Sequence, residues 1–148
     1  MFRVIIAILL TFKVEASFSQ EWTCKGTIKA NIELRIKPNS RSFHIQIVEN
    51  NNILLEKDVT KFSSEVPAGA SQRQIEFSEG NLLKGGLRIR IVQTNRDFPQ
   101  KKGQGHLTFR HKKKMRNDVV YCPDLDSIAD AVRSQSTVQK NSKKSLPR

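Results

Sequence analysis

The chain has 148 residues, 37% of them hydrophobic, and carries 26 Lys and Arg against 14 Asp and Glu for a formal net charge of +12. That length makes one domain with a compact rather than generous core, and nothing past the first residues is apolar for long enough to cross a bilayer as a helix. The charge bears on solubility and on attraction to polyanions, and is silent about the fold.

Residues 1–3 are a short positive region, residues 4–12 an apolar run, and Val14, Glu15 and Ala16 fit a small-x-small cleavage pattern, with Ser17, Phe18 and Ser19 offering a second cut. Residues 1–19 are therefore expected to be a signal peptide, cut near Ala16 or Ser19, and the mature chain to be secreted or periplasmic. In an oxidising compartment the two cysteines, Cys24 and Cys122, are expected to pair. The loop they close spans about 98 residues, for which the chain-entropy relation gives about 4.7 kcal/mol as an upper figure. A two-cysteine metal site is disfavoured because nothing nearby supplies the remaining ligands.

The β domain is expected over residues 20–122. Its opening run, residues 22–37, puts Trp22, Cys24, Ile28, Ala30, Ile32, Leu34 and Ile36 on even positions with polar residues between them. Period two predicts a half-buried strand, and at about 3.3 Å per residue it is too long for a small domain unless it bends. Gly26 is the expected kink or bulge. Pro38, Asn39 and Ser40 predict a turn, then a second strand with Phe43, Ile45 and Ile47 inward and His44, Gln46 and Val48 outward. Asn50, Asn51 and Asn52 predict the next turn, and residues 53–59 a weaker third strand. Residues 60–72, with Pro67 and Gly69, read as a loop.

A fourth strand over residues 73–78 presents Ile75 and Phe77. After Gly80, Gly85 and Gly86 comes a fifth, with Leu87, Ile89 and Ile91 inward and Arg88 and Arg90 outward. Residues 94–105 read as a long polar loop carrying Lys101 and Lys102. The sixth strand places Leu107 and Phe109 inside and His106, Thr108 and Arg110 outside. Lys112, Lys113, Lys114 and Arg116 make a basic turn, and residues 118–122 a seventh strand.

This pattern predicts an all-β fold, a small antiparallel sandwich or barrel of six to seven strands, with the disulfide joining the first strand to the last. A short helix is expected over residues 123–133, capped by Asp124 and apolar at Leu125, Ile128, Ala129 and Val132. Residues 134–148 are expected to be a disordered basic tail.

For function, the outward residues Arg88, Arg90, His106 and Arg110 share one hairpin face, with Lys112, Lys113, Lys114 and Arg116 as steering charges at its end. Arg41 and the Lys101, Lys102 pair fall at the opposite end, which disfavours a single focused anion pocket and leaves a track suited to a linear polyanion. Stacking aromatics for single-stranded nucleic acid are missing from that face except Tyr121, so specific nucleic-acid binding is disfavoured. The histidines His44, His106 and His111 lack metal-ligand spacing, and no nucleophile elbow, phosphate loop or zincin motif is present. The expectation is an exported, non-catalytic module without metal or cofactor whose basic face holds an anionic envelope polymer or membrane surface. The alternatives are a barrel that carries a small apolar ligand, and a small hydrolase with an unrecognised site.

Overall fold

The computed structural model describes residues 20–27, 31–94 and 102–144. The expected signal peptide (1–19), Ile28 and Ala30 of the opening run, Lys101, and the last four residues of the expected tail lie outside the described residues. Nine strands, β1 (Trp22–Gly26), β2 (Ile32–Pro38), β3 (Phe43–Glu49), β4 (Asn52–Val59), β5 (Lys61–Glu65), β6 (Gln74–Glu79), β7 (Leu87–Gln93), β8 (Gly103–His111) and β9 (Lys114–Cys122), are followed by the helix α1 (Leu125–Lys144). All neighbouring strands are antiparallel, in the order β4-β3-β2-β1-β9-β8-β7-β6-β5. The sheet is a nearly closed barrel.

The strand count exceeds the expected six or seven for two local reasons. Residues 22–37 are not one bent strand but the hairpin β1–β2, in which Trp22 lies opposite Ile36 and Cys24 opposite Leu34. Even residues face even residues across this register, so the buried face of β1 (Trp22, Cys24) is also the buried face of β2 (Ile32, Leu34, Ile36). The period-two pattern therefore passes through the reversal unbroken. The expected loop over residues 60–72 contains β5, whose Phe62 and Ser64 lie opposite the buried Phe77 and Ile75 of β6. Two smaller corrections concern Val48 and the loop before β8. Val48 is buried rather than outward, next to a register shift between Ile47 and Val48 that gives β3 an irregular end. β8 begins at Gly103, inside the expected polar loop.

Barrel closure follows from connectivity. The two edge strands, β4 and β5, are consecutive in the chain and separated only by Thr60, so one bent segment pairs first with β3 and then with β6. Both sides of that bend are held. The backbone N–H and hydroxyl of Thr60 donate to Glu79 Oε2 at 3.0 and 3.2 Å, and its carbonyl accepts from Gln139 of α1 at 3.3 Å. Edges that would otherwise be open to a second chain are thereby turned toward each other.

Inward side chains fill the barrel. Phe43 of β3 meets Phe62 of β5 and Phe77 of β6 edge to face, with ring centroids 4.9 and 5.2 Å apart, so side chains from the two sides of the closure touch inside the barrel. α1 closes the end where β1 begins and β9 finishes. Asp124 caps it as expected, its Oδ1 accepting from Ser127 N at 3.1 Å, and Leu125, Ile128, Ala129 and Val132 are buried in the same core as the strands. Gly103 makes room for this docking: a Cβ there would stand 2.6 Å from Ile91 Cγ2 and 3.0 Å from Leu125 Cδ1. The helix is longer than expected. It continues through residues 134–144, assigned from sequence to a disordered tail, because Gln135 and Gln139 donate to the carbonyls of Asn39, Arg41 and Thr60 on the barrel rim. Polar side chains thus hold a segment that has too few apolar residues to be held by burial.

Cys24 and Cys122 are bonded, with their Cα atoms 4.3 Å apart on the neighbouring strands β1 and β9. The bond fits an oxidising, extracytoplasmic setting. Replacing both cysteines by Ala should lower unfolding stability by about 2–4 kcal/mol, measured as a shift of the urea midpoint at unchanged slope; a loss under about 1 kcal/mol would show that the seam holds without it.

Candidate functional site

β7 and β8 present their alternate residues to solvent, and the register decides which of these meet. Arg90 lies opposite His106 and Arg88 opposite Thr108. With Val92 these four line a shallow groove of about 400 Å³ on the outer wall of the barrel. Arg88 makes no hydrogen bond or ion pair with a described residue, whereas Arg90 donates through Nε to Glu76 Oε1 at 3.0 Å in a solvent-exposed pair. Such surface pairs contribute little and exchange readily for another anion. Arg110 continues the same face toward the end of the hairpin, where its Nη1 donates to the carbonyl of Leu83 at 2.6 Å. Leu83 belongs to a short 3-10 helix, Leu82–Lys84, so Arg110 ties this connection to β8.

Beyond Arg110 the hairpin turns at Lys112 and Lys113, with His111 opposite Lys114. Both turn residues have positive φ, 47° and 64°, the geometry of a two-residue type I′ turn. Lys112, Lys113 and Lys114 are exposed. Arg41 and Lys102 lie at the α1 end of the barrel, away from this turn, so the expected separation of the basic clusters holds for the described residues.

Arg116 does not belong with these charges. It lies within β9, opposite the buried Phe109, and shares the inward parity of Val120 and Cys122. Its guanidinium sits 5.6 Å from the Phe109 ring centroid and is clamped by Glu49 of β3 (3.1 and 2.8 Å) and Asp118 (3.2 Å). These bonds raise the Arg116 pKa further above its ordinary value, and the hydrogen bonds from Arg116 hold the Glu49 carboxyl below the usual carboxylate range. His111 Nδ1 lies 3.1 Å from the carbonyl of Leu54 nearby. The cluster is a polar plug in the barrel end opposite α1. Charge spent in this way is not available to a ligand.

A second constellation was not expected as a unit. His44 on β3 stands between two carboxylates of β4, with Nδ1 2.8 Å from Asp58 Oδ1 and Nε2 2.8 Å from Glu56 Oε1. Carboxylates only accept, so both ring nitrogens donate and the ring is an imidazolium in this arrangement. The bond to Asp58 is the largest influence and raises the His44 pKa above its ordinary 6.5; burial opposes it, and the bond to Glu56 and the attraction of both carboxylates add to the rise. Gln46 also donates to Glu56 Oε1, at 3.0 Å, and a groove of about 260 Å³ lined by Glu21, Arg35, Lys37, His44 and Gln46 lies alongside. Among the described residues no group of three His, Cys, Asp or Glu side chains has a metal-holding arrangement. The pairing of His44 with Asp58 is readable only once β3 and β4 are placed side by side, since the two are fourteen residues apart.

Comparison with known proteins finds no matching family model, no similar curated protein and no similar solved structure.

Two outcomes follow from these clusters. Arg116→Gln should destabilise the fold by about 1–3 kcal/mol because Glu49 and Asp118 are left half-buried without their partner, whereas Lys112→Gln should change stability by less than about 0.5 kcal/mol; equal effects in urea unfolding would remove Arg116 from the plug. Because the folded pKa of His44 is raised, its contribution is complete below pH 6.5 and lost as pH rises through the folded value. His44→Gln should therefore abolish a fall in stability between mildly acidic and mildly alkaline pH, and an NMR titration of wild-type His44 should place its pKa above 6.5.

Proposed function

We propose that the protein is an exported, non-catalytic binding module that holds anionic polymers or surfaces on the outer face of β7–β8. The single observation that carries this reading is the continuous basic track from Arg90 and His106, past Arg88, to Arg110 and the Lys112–Lys113 turn, with Arg88 and the turn lysines unpaired among the described residues. An outward strand face offers charges at about 7 Å intervals on each strand, a spacing that serves the repeating phosphates, sulfates or carboxylates of a linear polymer better than one small anion.

Two rival readings have less support. A carrier of a small apolar ligand needs an interior cavity, and here Phe43, Phe77, Phe109 and the aliphatics of seven strands fill the barrel, while the grooves described above are on its outside. A hydrolase gains something from the meeting of His44 with Asp58 and Glu56. Yet both ring nitrogens are occupied by carboxylates, and among the described residues no Ser, Thr or Cys lines the adjacent groove to act as nucleophile.

Heparin and polyphosphate are suitable probes. Affinity should fall at least about tenfold between low and physiological salt, reflecting release of condensed counterions. The triple variant Arg88→Glu, Lys112→Glu, Lys113→Glu should bind at least about tenfold more weakly while its melting temperature moves by only a few degrees, because none of the three holds a described partner. Binding that is insensitive to salt, or unchanged in the triple variant, would remove the track from consideration.

A further inference from the structure

The end of the barrel beyond Arg110 carries a feature that a soluble polyanion does not use. Leu83, at 69% relative exposure, and Met115, at 42%, are among the most exposed large apolar side chains of the described residues. They belong to different segments, the 3-10 helix between β6 and β7 and the start of β9. Arg110 joins them: it lies directly opposite Met115 in the β8–β9 register and donates to the Leu83 carbonyl at 2.6 Å. Ile53, exposed at 52%, stands next to Leu54, whose carbonyl meets His111 at 3.1 Å on the same rim. Around these residues Lys84, Lys112, Lys113 and Lys114 are exposed and make no ion pair with a described residue. The acids of the plug at this end, Glu49 and Asp118, are paired with Arg116.

The backbone adds an independent observation. Type I′ turns favour Asn and Gly because L-residues with longer side chains are strained at positive φ. The β3–β4 turn obeys this with Asn50 and Asn51 at φ 49° and 64°, whereas the β8–β9 turn holds the same geometry with Lys112 and Lys113. Two cations thus stand at the tip of the longest hairpin in positions that local conformation disfavours.

Apolar side chains on two neighbouring tips, flanked by lysines that make no ion pair with a described residue, match the chemistry of one kind of partner. An anionic bilayer rewards both parts at once, with phosphates for the lysines and the boundary between headgroups and acyl chains for the apolar tips. We propose that this end of the barrel docks on anionic lipid bilayers, with Leu83 and Met115 entering the interface and Lys84, Lys112, Lys113 and Lys114 taking lipid phosphates. The inference rests on the polyanion reading for its charges and goes beyond it in assigning the apolar residues a role. The lysine stems can lie along the apolar tips while their ammonium groups stay among the headgroups.

The experiment measures co-sedimentation with phosphatidylcholine vesicles, with and without phosphatidylglycerol, beside heparin affinity for the same proteins. Wild type should bind only the anionic vesicles. Leu83→Asn with Met115→Gln, which leaves the charge unchanged, should weaken vesicle binding at least about tenfold and leave heparin affinity within about twofold. Lys112→Gln, Lys113→Gln and Lys114→Gln together should weaken vesicle binding on the order of a hundredfold, about fivefold for each charge near an anionic surface, and weaken heparin binding as well. The single tryptophan, Trp22, buried against Ser127 of α1, reports by its fluorescence that each variant is folded. Vesicle binding unaltered by the Leu83 and Met115 changes, or no binding of wild type to anionic vesicles, overturns the bilayer assignment even if heparin still binds. Loss of heparin binding by wild type overturns the polyanion reading itself.

Discussion

The structure depends on the junction between β1 and β9. β1 to β4 form one meander and β5 to β9 another, and among the described residues the ladder that joins them is the one between β1 and β9. That ladder is short, with Lys25 opposite Tyr121 and Gly26 opposite Val120, and the Cys24–Cys122 bond continues it by one more pair. A brief ladder between the two ends of a long loop must overcome a large closure entropy, and a covalent link removes much of that cost from the unfolded state. Everything downstream, from the barrel's curvature to the placement of α1, presupposes that this seam is shut.

With the seam shut, the two barrel ends acquire different characters. One is closed by the apolar half of α1, whose Leu125, Ile128, Ala129 and Val132 join the core, and the rim there is bound by glutamine side chains to backbone carbonyls. The other is closed by charge, through Arg116 held between Glu49 and Asp118 above Phe109. A half-buried cation with two carboxylates is fixed in place by its bonds, while the exposed lysines two to four residues before it keep their charge for solvent or a ligand. The positive charge at this end is therefore divided into a structural part, Arg116, and an available part, the turn lysines, by depth within β9 and by the acids that reach Arg116.

The residues of the candidate site were legible to unequal degrees. Arg88, Arg90, His106 and Arg110 could be placed on one outer face from the alternation with Leu87, Ile89, Leu107 and Phe109, because a strand with one buried face leaves its other face no choice. Four basic residues close together resemble a turn, and on sequence alone Arg116 groups with Lys112, Lys113 and Lys114. Its place two residues inside β9, on the parity of Val120 and Cys122, is the signal that it turns inward, whereas Lys114 has that parity only at the exposed first residue of the strand; the distant Glu49 explains why a cation tolerates that direction. The meeting of His44 with Asp58, and of Arg110 with the Leu83 carbonyl, involves pairs far apart in the chain, and no local pattern encodes them.

What the sequence by itself determined is the β class, the inward face of almost every strand, the cap of the helix at Asp124 and the partnership of the two cysteines, since each of these follows from alternation, side-chain chemistry or count. The tertiary structure alone decided the number of strands, the barrel and the length of α1. A hairpin whose register pairs even residues with even leaves no mark on a period-two pattern, so the reversal between Gly26 and Ile32 was invisible in it. The polar second half of α1 has no apolar stripe to announce it, and it is ordered by hydrogen bonds to Asn39, Arg41 and Thr60 that exist only after the barrel has closed.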